Sequence, residues 1–67
     1  METIKLKALK KGQFFTKKPI EYPSEKQVFI RGDYDKSEKK YSCTRFSDFC
    51  DEQMINGEKL VYTDFIF

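Results

Sequence analysis

Histidine, the side chain that most often acts as a base or a metal ligand near neutral pH, does not occur in this chain. Without histidine, the usual Ser-His and Cys-His arrangements for nucleophilic catalysis cannot form. The two cysteines, Cys43 and Cys50, fall short of the four Cys and His ligands that a zinc site usually takes. We therefore expect a non-enzymatic protein that carries no metal and no other cofactor.

Neither cysteine is expected to be a reactive thiol. Cys43 lies in a predicted strand, where a cysteine behaves as a small buried hydrophobe. Cys50 lies beside Asp48, Asp51 and Glu52, whose negative charges oppose formation of a thiolate. Two cysteines are also too few for a disulfide-rich secreted scaffold, which favours a reduced, cytoplasmic protein.

Two clusters of carboxylates could in principle perform acid–base chemistry or hold a cation. Their members are Asp33, Asp35 and Glu38 in one cluster, and Asp48, Asp51 and Glu52 in the other. Both clusters fall in predicted turns, where aspartate serves the backbone. The first begins like a calcium loop, but Glu38 replaces the required glycine and Thr44 replaces the bidentate glutamate. Solvated turns are the better interpretation of both clusters.

Basic residues interleaved with aromatic rings form the remaining pattern that could bind a ligand. Lysines would neutralise phosphates and ring faces would stack on bases, as in small barrels that bind single-stranded nucleic acid. The candidate contact residues are Lys10, Lys11, Phe14, Lys17, Lys18, Phe29, Arg31 and Arg45. The isoelectric point of about 8.5 lies below the value above 9 that is typical of nucleic-acid binding, so this function stays an alternative.

The distribution of charge and of aromatic residues favours a protein partner. Residues 1–18 hold six lysines against one glutamate, whereas residues 19–67 hold seven basic and ten acidic side chains. Seven Phe and four Tyr are too many for a 67-residue chain to conceal, because a domain this small buries only about 60% of its surface. Exposed aromatics favour interfaces. We expect a protein–protein adaptor or self-association, in which the basic end of one copy meets the acidic half of another.

Hydrophobic alternation predicts strands along most of the chain. Residues 3–6 alternate as a strand, although Leu6 and Leu9 would equally suit a helical turn. Residues 18–26 contain two prolines and form a loop. Further strands are predicted at residues 13–17, 27–34, 40–46 and 58–67, the last with Val61, Thr63, Phe65 and Phe67 facing inward.

The turns between these strands carry recognisable signals. Gly12 is free to adopt a positive φ, and Gly32 suggests a bulge within its strand. Residues 47–51 form a connection that could contain one helical turn capped by Ser47. Asn56-Gly57 predicts a type I′ turn that joins residues 53–55 and 60–62 into a hairpin.

These elements predict a mostly β fold, with residues 1–67 forming one small antiparallel domain of five to six short strands. An SH3-like or OB-like small barrel is the first choice, and a bent meander with one short helix is the alternative. No apolar run approaches the roughly 18 residues that a membrane span needs, so no membrane contact is expected. Residues 1–11 lack the apolar region of a signal peptide.

The chain resembles a group of short hypothetical proteins associated with gut Bacteroidales genomes and their mobile elements. The likeness covers nearly the whole chain, and no activity is assigned to the group, so it implies no functional residue. The segments that carry it run over residues 12–16, 19–23, 28–35, 40–43 and 61–67.

Overall fold

The computed structural model describes residues 2–67 of the expected domain, so Met1 lies outside the described residues. That range contains a single 3₁₀ turn, Leu6–Ala8, and six strands. The strands are β1 (Ile4–Lys5), β2 (Phe14–Thr16), β3 (Val28–Asp35), β4 (Lys40–Arg45), β5 (Asp48–Asn56) and β6 (Leu60–Val61). The predicted mostly β architecture is confirmed. Within residues 2–67, the one helical element is far too short to cross a membrane.

The strands form two antiparallel sheets. Four of them lie in the order β2-β3-β4-β5, and β1 pairs with β6 in a second, two-stranded sheet. Thr16 and Tyr62 form an isolated bridge between the sheets. Among the strands of residues 2–67, β5 pairs with β4 alone, so the expected closed barrel is wrong and the alternative, a bent meander, fits. The physical reason is that β6, the strand that follows β5, pairs with β1 in the other sheet, which leaves the edge of β5 without a partner strand among residues 2–67.

The core lies between the inner face of the four-stranded sheet and the segment that contains β1, the 3₁₀ turn and β6. Its buried members are Leu6, Leu9, Phe15, Phe29, Cys43, Ile55 and Val61. Phe15 and Phe29 are register partners in β2 and β3, and their rings stack with centroids 5.8 Å apart. Residues 3–9 contain both of the alternatives predicted for them, because the two-residue strand β1 runs directly into the helical turn that begins at Leu6.

A bulge in β3 lies where Gly32 predicts it. The register with β4 shifts between Arg31 and Tyr34, and a Cβ on Gly32 would overlap the carbonyl oxygen of Ser42. Val28 and Phe29 are both buried although successive residues face opposite ways, because each face of the sheet is covered at this end. The predicted positive φ of Gly12 is also confirmed, at 88°.

The connection between β4 and β5 is shorter than expected. Phe46 and Ser47 form the whole turn, and β5 begins at Asp48, so the predicted helical turn over residues 47–51 is wrong. The Asp48 side chain accepts a hydrogen bond from the Cys50 backbone N–H at 3.0 Å, which fixes the start of the strand. The carboxylates of Asp51 and Glu52 therefore project from an edge strand and not from a turn.

Asn56-Gly57 forms a turn, but the predicted type I′ hairpin is wrong. The Lys59 N–H donates to the Asn56 carbonyl at 3.0 Å, yet neither Asn56 nor Gly57 has a positive φ. The flanking strands β5 and β6 belong to different sheets. Space requires the glycine here, because a Cβ on Gly57 would lie 2.7 Å from Cε2 of Tyr41.

The predicted last strand, residues 58–67, is reduced to β6 and the bridge at Tyr62. Val61 faces the core as expected, and Thr63 and Phe65 are half-buried, but Phe67 is 52% exposed. The Ile66 N–H donates to the carbonyl of Glu21 at 2.9 Å, so this irregular segment lies against the loop. The expectation that Phe67 faces inward is therefore wrong.

Stability should depend on the Glu58 carboxylate at acidic pH. Its oxygens lie 2.9 Å from Lys5 Nζ and 2.5 Å from Lys7 Nζ, and these lysine hydrogen bonds lower its pKa to about 2. A lowered pKa contributes stability above the unfolded-state value near 4.5, and this contribution disappears as pH falls toward 2. Urea unfolding of the native chain and Glu58→Gln should differ at pH 5 and converge by pH 2. A difference that does not change over this range would contradict the assignment.

Candidate functional site

Three of the predicted cations, Lys17, Lys18 and Arg45, converge with Phe29 on one open groove. We call it the basic groove; its volume is about 290 Å³. It is lined by Lys17, Lys18, Ile20, Lys26, Gln27, Phe29 and Arg45. Register explains the convergence: Phe29 opposes both Phe15 in β2 and Arg45 in β4, and Lys17 lies two residues beyond Phe15 on the same side of the strand.

Two cations cover the Phe29 ring at the floor of the basic groove. Lys17 Nζ lies 4.6 Å from the ring centroid, and the Arg45 guanidinium carbon lies 5.3 Å from it. Lys17 also donates a hydrogen bond to the side-chain oxygen of Gln53. Such cation–π contacts hold the two charges close to one another over an apolar surface.

Arg45 is further anchored by two oxygen atoms. Its Nη1 donates to the Lys26 carbonyl at 3.1 Å, which ties β4 to the loop over residues 18–26. Its Nε lies 2.8 Å from an Asp51 carboxylate oxygen. Because the Nε–H does not point at that oxygen, this contact is an ion pair without a well-aligned hydrogen bond.

Lys17 is half-buried, and its surroundings disfavour its charge. Burial lowers the pKa of Lys17, and the neighbouring positive charges of Lys59 and Arg45 lower it further. Asp51 opposes this effect only weakly. Positive charges therefore outnumber carboxylates in this groove, where Asp51 pairs with Arg45.

Phe29 cannot act as a stacking platform for a base. It is 5% exposed, with Phe15 stacked against it in the core and Lys17 and Arg45 over it. The expectation that its ring is available to a nucleic acid is wrong, because the β2–β3 register directs the side chain to the inner face. Its contribution to the basic groove is an apolar floor.

The other predicted contact residues lie elsewhere. Lys10 and Lys11 belong with Gly12 to the turn that precedes β2, whereas Lys17 follows the other end of that strand. Lys11 Nζ is 2.8 Å from the Asp33 carboxylate, and the Arg31 guanidinium lies 4.3 Å from the Tyr41 ring centroid. The eight predicted residues therefore do not form one continuous surface.

Phe14 belongs to a cluster of rings on the outer face of the four-stranded sheet. We call this cluster the outer aromatic patch, formed by Phe14, Phe46, Phe49 and Phe67. The Phe14, Phe46 and Phe67 centroids lie 5.0–6.0 Å apart in edge-to-face geometry, and Phe49 lies 6.5 Å from Phe46. Phe14, Phe49 and Phe67 are 39%, 70% and 52% exposed, which confirms that the chain leaves several rings at its surface.

Three different parts of the chain assemble the outer aromatic patch. Phe14 faces outward because Phe15 faces the core. Phe46 is fixed by its backbone N–H, which donates to the Val28 carbonyl at 2.8 Å, and Phe49 follows it across the short β4–β5 turn. Phe67 is brought alongside by the irregular segment after β6. Sequence reasoning missed Phe46, Phe49 and Phe67; the Phe46–Phe49 pair that flanks a turn was the available signal.

The patch borders one cleft, and an acidic cleft lies at the other end of the outer face. The first, about 390 Å³, is lined by Gly12, Gln13, Phe14, Thr63, Phe65 and Phe67. The second, about 360 Å³, is lined by Asp33, Tyr34, Asp35, Lys36, Ser42, Glu52 and Met54. The outer face is thus apolar at one end and acidic at the other.

The carboxylates of this acidic cleft have local structural partners. The Ser37 hydroxyl donates to Asp35 at 2.7 Å, and the pKa of Asp35 is lowered by this bond and by the backbone N–H groups of Glu38 and Ser37. Lys11 lowers the pKa of Asp33. The predicted turn role of Asp35 is confirmed. Within residues 2–67, no group of three or more His, Cys, Asp or Glu side chains is arranged to hold a metal ion.

The predicted burial of Cys43 is confirmed. Cys43 is fully buried on the inner face, and burial raises the pKa of its thiol. Cys50 is exposed on β5 and is not bonded to Cys43.

Comparison with known proteins adds no relative to this description. No family model, no curated protein and no solved structure matches the chain.

Proposed function

We propose that this protein is a non-enzymatic binding module that contacts a protein partner through the outer aromatic patch. The observation that carries the proposal is the clustering of Phe14, Phe46, Phe49 and Phe67, three of them more than one third exposed. Aromatic rings are enriched in protein interfaces and supply a large share of their binding energy.

The physical cost of leaving these rings in water supports an interface. Phe49 is 70% exposed, and each large ring can remove roughly 150–250 Å² from water when it is covered. Contiguous exposed apolar surface of this kind marks interaction sites. The rings also contact one another, so little side-chain freedom remains to be lost on binding.

The edge strand β5 offers the same partner a second mode of contact. Among the strands of residues 2–67 it pairs with β4 alone, and at nine residues it is the longest strand. An unpaired strand edge can accept an extended segment through backbone hydrogen bonds. The carboxylates of Asp48 and Glu52 along this edge favour a basic segment over a second copy of β5.

A photo-crosslinking residue at position 49 should capture the partner from cell extract. We expect one discrete adduct. The double variant Phe14→Ser with Phe67→Ser should reduce the yield of this adduct about tenfold or more, because both anchoring rings are lost. Leu60, 51% exposed on β6, provides the control position. Unfolding curves of the variant verify that it remains folded.

The mass of the adduct separates the possible partners, since twice the mass of the chain would identify a second copy. Equal labelling from positions 49 and 60, an adduct unaffected by the two substitutions, or no adduct at all would contradict the proposal.

Single-stranded nucleic acid remains the second candidate partner, favoured by the convergence of Lys17, Lys18 and Arg45 on the basic groove. The exposed phenylalanines of the outer aromatic patch lie on the other face of the sheet, which separates them from the cations of the groove and weakens the case for this function. Titration of fluorescent single-stranded DNA and RNA tests it. Binding at low salt that weakens steeply as salt rises would support it, and no binding at low salt would exclude it.

A further inference from the structure

We propose that the basic groove is a binding site for a phosphate monoester, carried by a small phosphorylated molecule. This inference goes beyond the proposed protein-binding function and does not depend on it. The groove contains Phe29 and Lys17 of the inner side of the sheet, whereas the outer aromatic patch contains Phe14 and lies on the other side.

The charge of the groove favours an anion. Lys17, Lys18, Lys26 and Arg45 line it, and Lys59 lies close enough to perturb Lys17. Residues 2–67 contain four salt bridges. Among these four, only the Arg45–Asp51 pair involves a cation of the groove. A bound anion with two negative charges would neutralise half of this excess of five cations over one carboxylate.

Arg45 and Lys17 have hydrogen-bond donors available to a ligand. Arg45 Nη1 donates to the Lys26 carbonyl and its Nε forms only an ion pair with Asp51, which leaves Nη2 for a ligand. Lys17 uses one of its three N–H bonds for Gln53. Donors from β4 and from the segment between β2 and β3 approach from different directions, which suits the three terminal oxygens of a phosphate monoester better than the planar pair of a carboxylate.

The surroundings of these cations strengthen their interaction with an anion. The Phe29 floor and the half-buried Ile20 exclude part of the solvent, and charge-assisted hydrogen bonds are stronger in such surroundings. Burial and neighbouring cations lower the pKa of Lys17, and an anion at this position would offset both effects.

The size of the groove favours a small ligand over a nucleic-acid strand. About 290 Å³ lies at the lower end of the range for ligand pockets, roughly 300–1,000 Å³. The one ring that lines it, Phe29, is 5% exposed and offers no free face to a base.

The test is an NMR titration of the full chain at low ionic strength with glucose 6-phosphate, and with glucose as the matched neutral probe. We expect shifts confined to the amides of residues 17–18, 26–29 and 45, with none from glucose. The variant Lys18→Gln with Lys26→Gln should weaken binding about tenfold, since both side chains are exposed and carry charge to the rim. The matched control, Lys10→Gln with Lys36→Gln, removes the same net charge elsewhere and should change affinity less than about twofold.

Four outcomes would overturn the proposal: no shift with glucose 6-phosphate, equal shifts with glucose, shifts spread over all lysine-rich segments, or equal weakening in the control variant. A short oligothymidylate with and without a 5′-phosphate forms a further arm. If both forms bind more tightly than glucose 6-phosphate, the ligand of the groove is a nucleic-acid strand and the proposal of a phosphate monoester is wrong. The double variant Phe14→Ser with Phe67→Ser should leave the glucose 6-phosphate titration unchanged. Failure of the protein-binding proposal can therefore be distinguished from failure of the phosphate-binding proposal.

Discussion

Replacing Phe15 with alanine is expected to lower the free energy of unfolding by about 3–5 kcal/mol, the cost typical of truncating a buried ring. Phe15 is fully buried, stacks on Phe29 and belongs to the cluster that contains Leu6 and Val61. A 67-residue domain has a total stability of only about 3–10 kcal/mol. The variant should therefore lose a large part of its stability, as measured by urea titration followed by circular dichroism.

The matched control is Phe49→Ala, which removes the same ring from a site that is 70% exposed. Its effect on stability should stay within about 0.5 kcal/mol. A similar loss in both variants would mean that the outer aromatic patch is structural, which would count against its proposed role in binding. A loss below about 1 kcal/mol for Phe15→Ala would contradict the described core.

Replacing Gly32 with alanine is expected to destabilise the fold by about 3 kcal/mol through overpacking. The added Cβ would overlap the backbone carbonyl oxygen of Ser42 on the neighbouring strand. Backbone atoms cannot rotate out of the way as a side chain can, so β3 and β4 must separate at the bulge. Loss of amide protection at residues 31–34 and 41–43, measured by hydrogen exchange, would locate the damage.

Gly12 provides the contrasting control, because no atom of residues 2–67 outside its immediate neighbours lies within 4 Å of a Cβ at that position. Its φ of 88° makes alanine unfavourable by about 1–2 kcal/mol through backbone strain alone. Asparagine tolerates this conformation better than alanine, so Gly12→Asn should cost less than Gly12→Ala. At position 32, Gly32→Asn should destabilise the fold at least as much as Gly32→Ala, since asparagine is larger and must clash at least as severely. The same order at both positions would contradict the steric explanation for Gly32.

The two proposed surfaces should respond differently to salt. Contacts of the basic groove are ionic and partly exposed, so their affinity should fall as ionic strength rises. Burial of the outer aromatic patch is driven by the hydrophobic effect, which moderate salt does not screen. A salt series separates the two binding modes even when both occur in one sample.

Local patterns predicted the central strands well. Alternation located Phe14–Thr16, Val28–Asp35 and Lys40–Arg45, because one residue in two must face the core wherever a sheet has a buried face. Gly12 and Gly32 were identified correctly since their requirements, a positive φ and a bulge, concern the backbone within a few residues.

Predictions failed where partners distant in sequence decide the outcome. Asn56-Gly57 has the composition of a type I′ hairpin, but Tyr41 and Lys7 occupy the space beside Gly57, and β6 pairs with β1. Phe67 has the parity of an inward residue, yet the chain after Tyr62 leaves the ladder and contacts the loop at Glu21. Neither interaction can be derived from a short window of sequence.

The candidate sites show the same division. The sequence indicated that basic and aromatic residues would meet, and it included Lys17, Lys18 and Arg45 in that set. It could not indicate that Lys10 and Lys11 lie at the other end of β2, or that Lys26 completes the basic groove from the loop. It also missed three of the four rings of the outer aromatic patch, because the four rings together come from three separate segments.

By itself, the sequence determined that this protein is a small antiparallel β domain with excess aromatic residues and without histidine chemistry, since composition and period-two alternation are local properties. The tertiary structure alone decided that the sheet stays open, that Phe29 lies beneath two cations and that four phenylalanines share the outer face. These outcomes depend on strand register, which is set by packing between residues far apart in the chain.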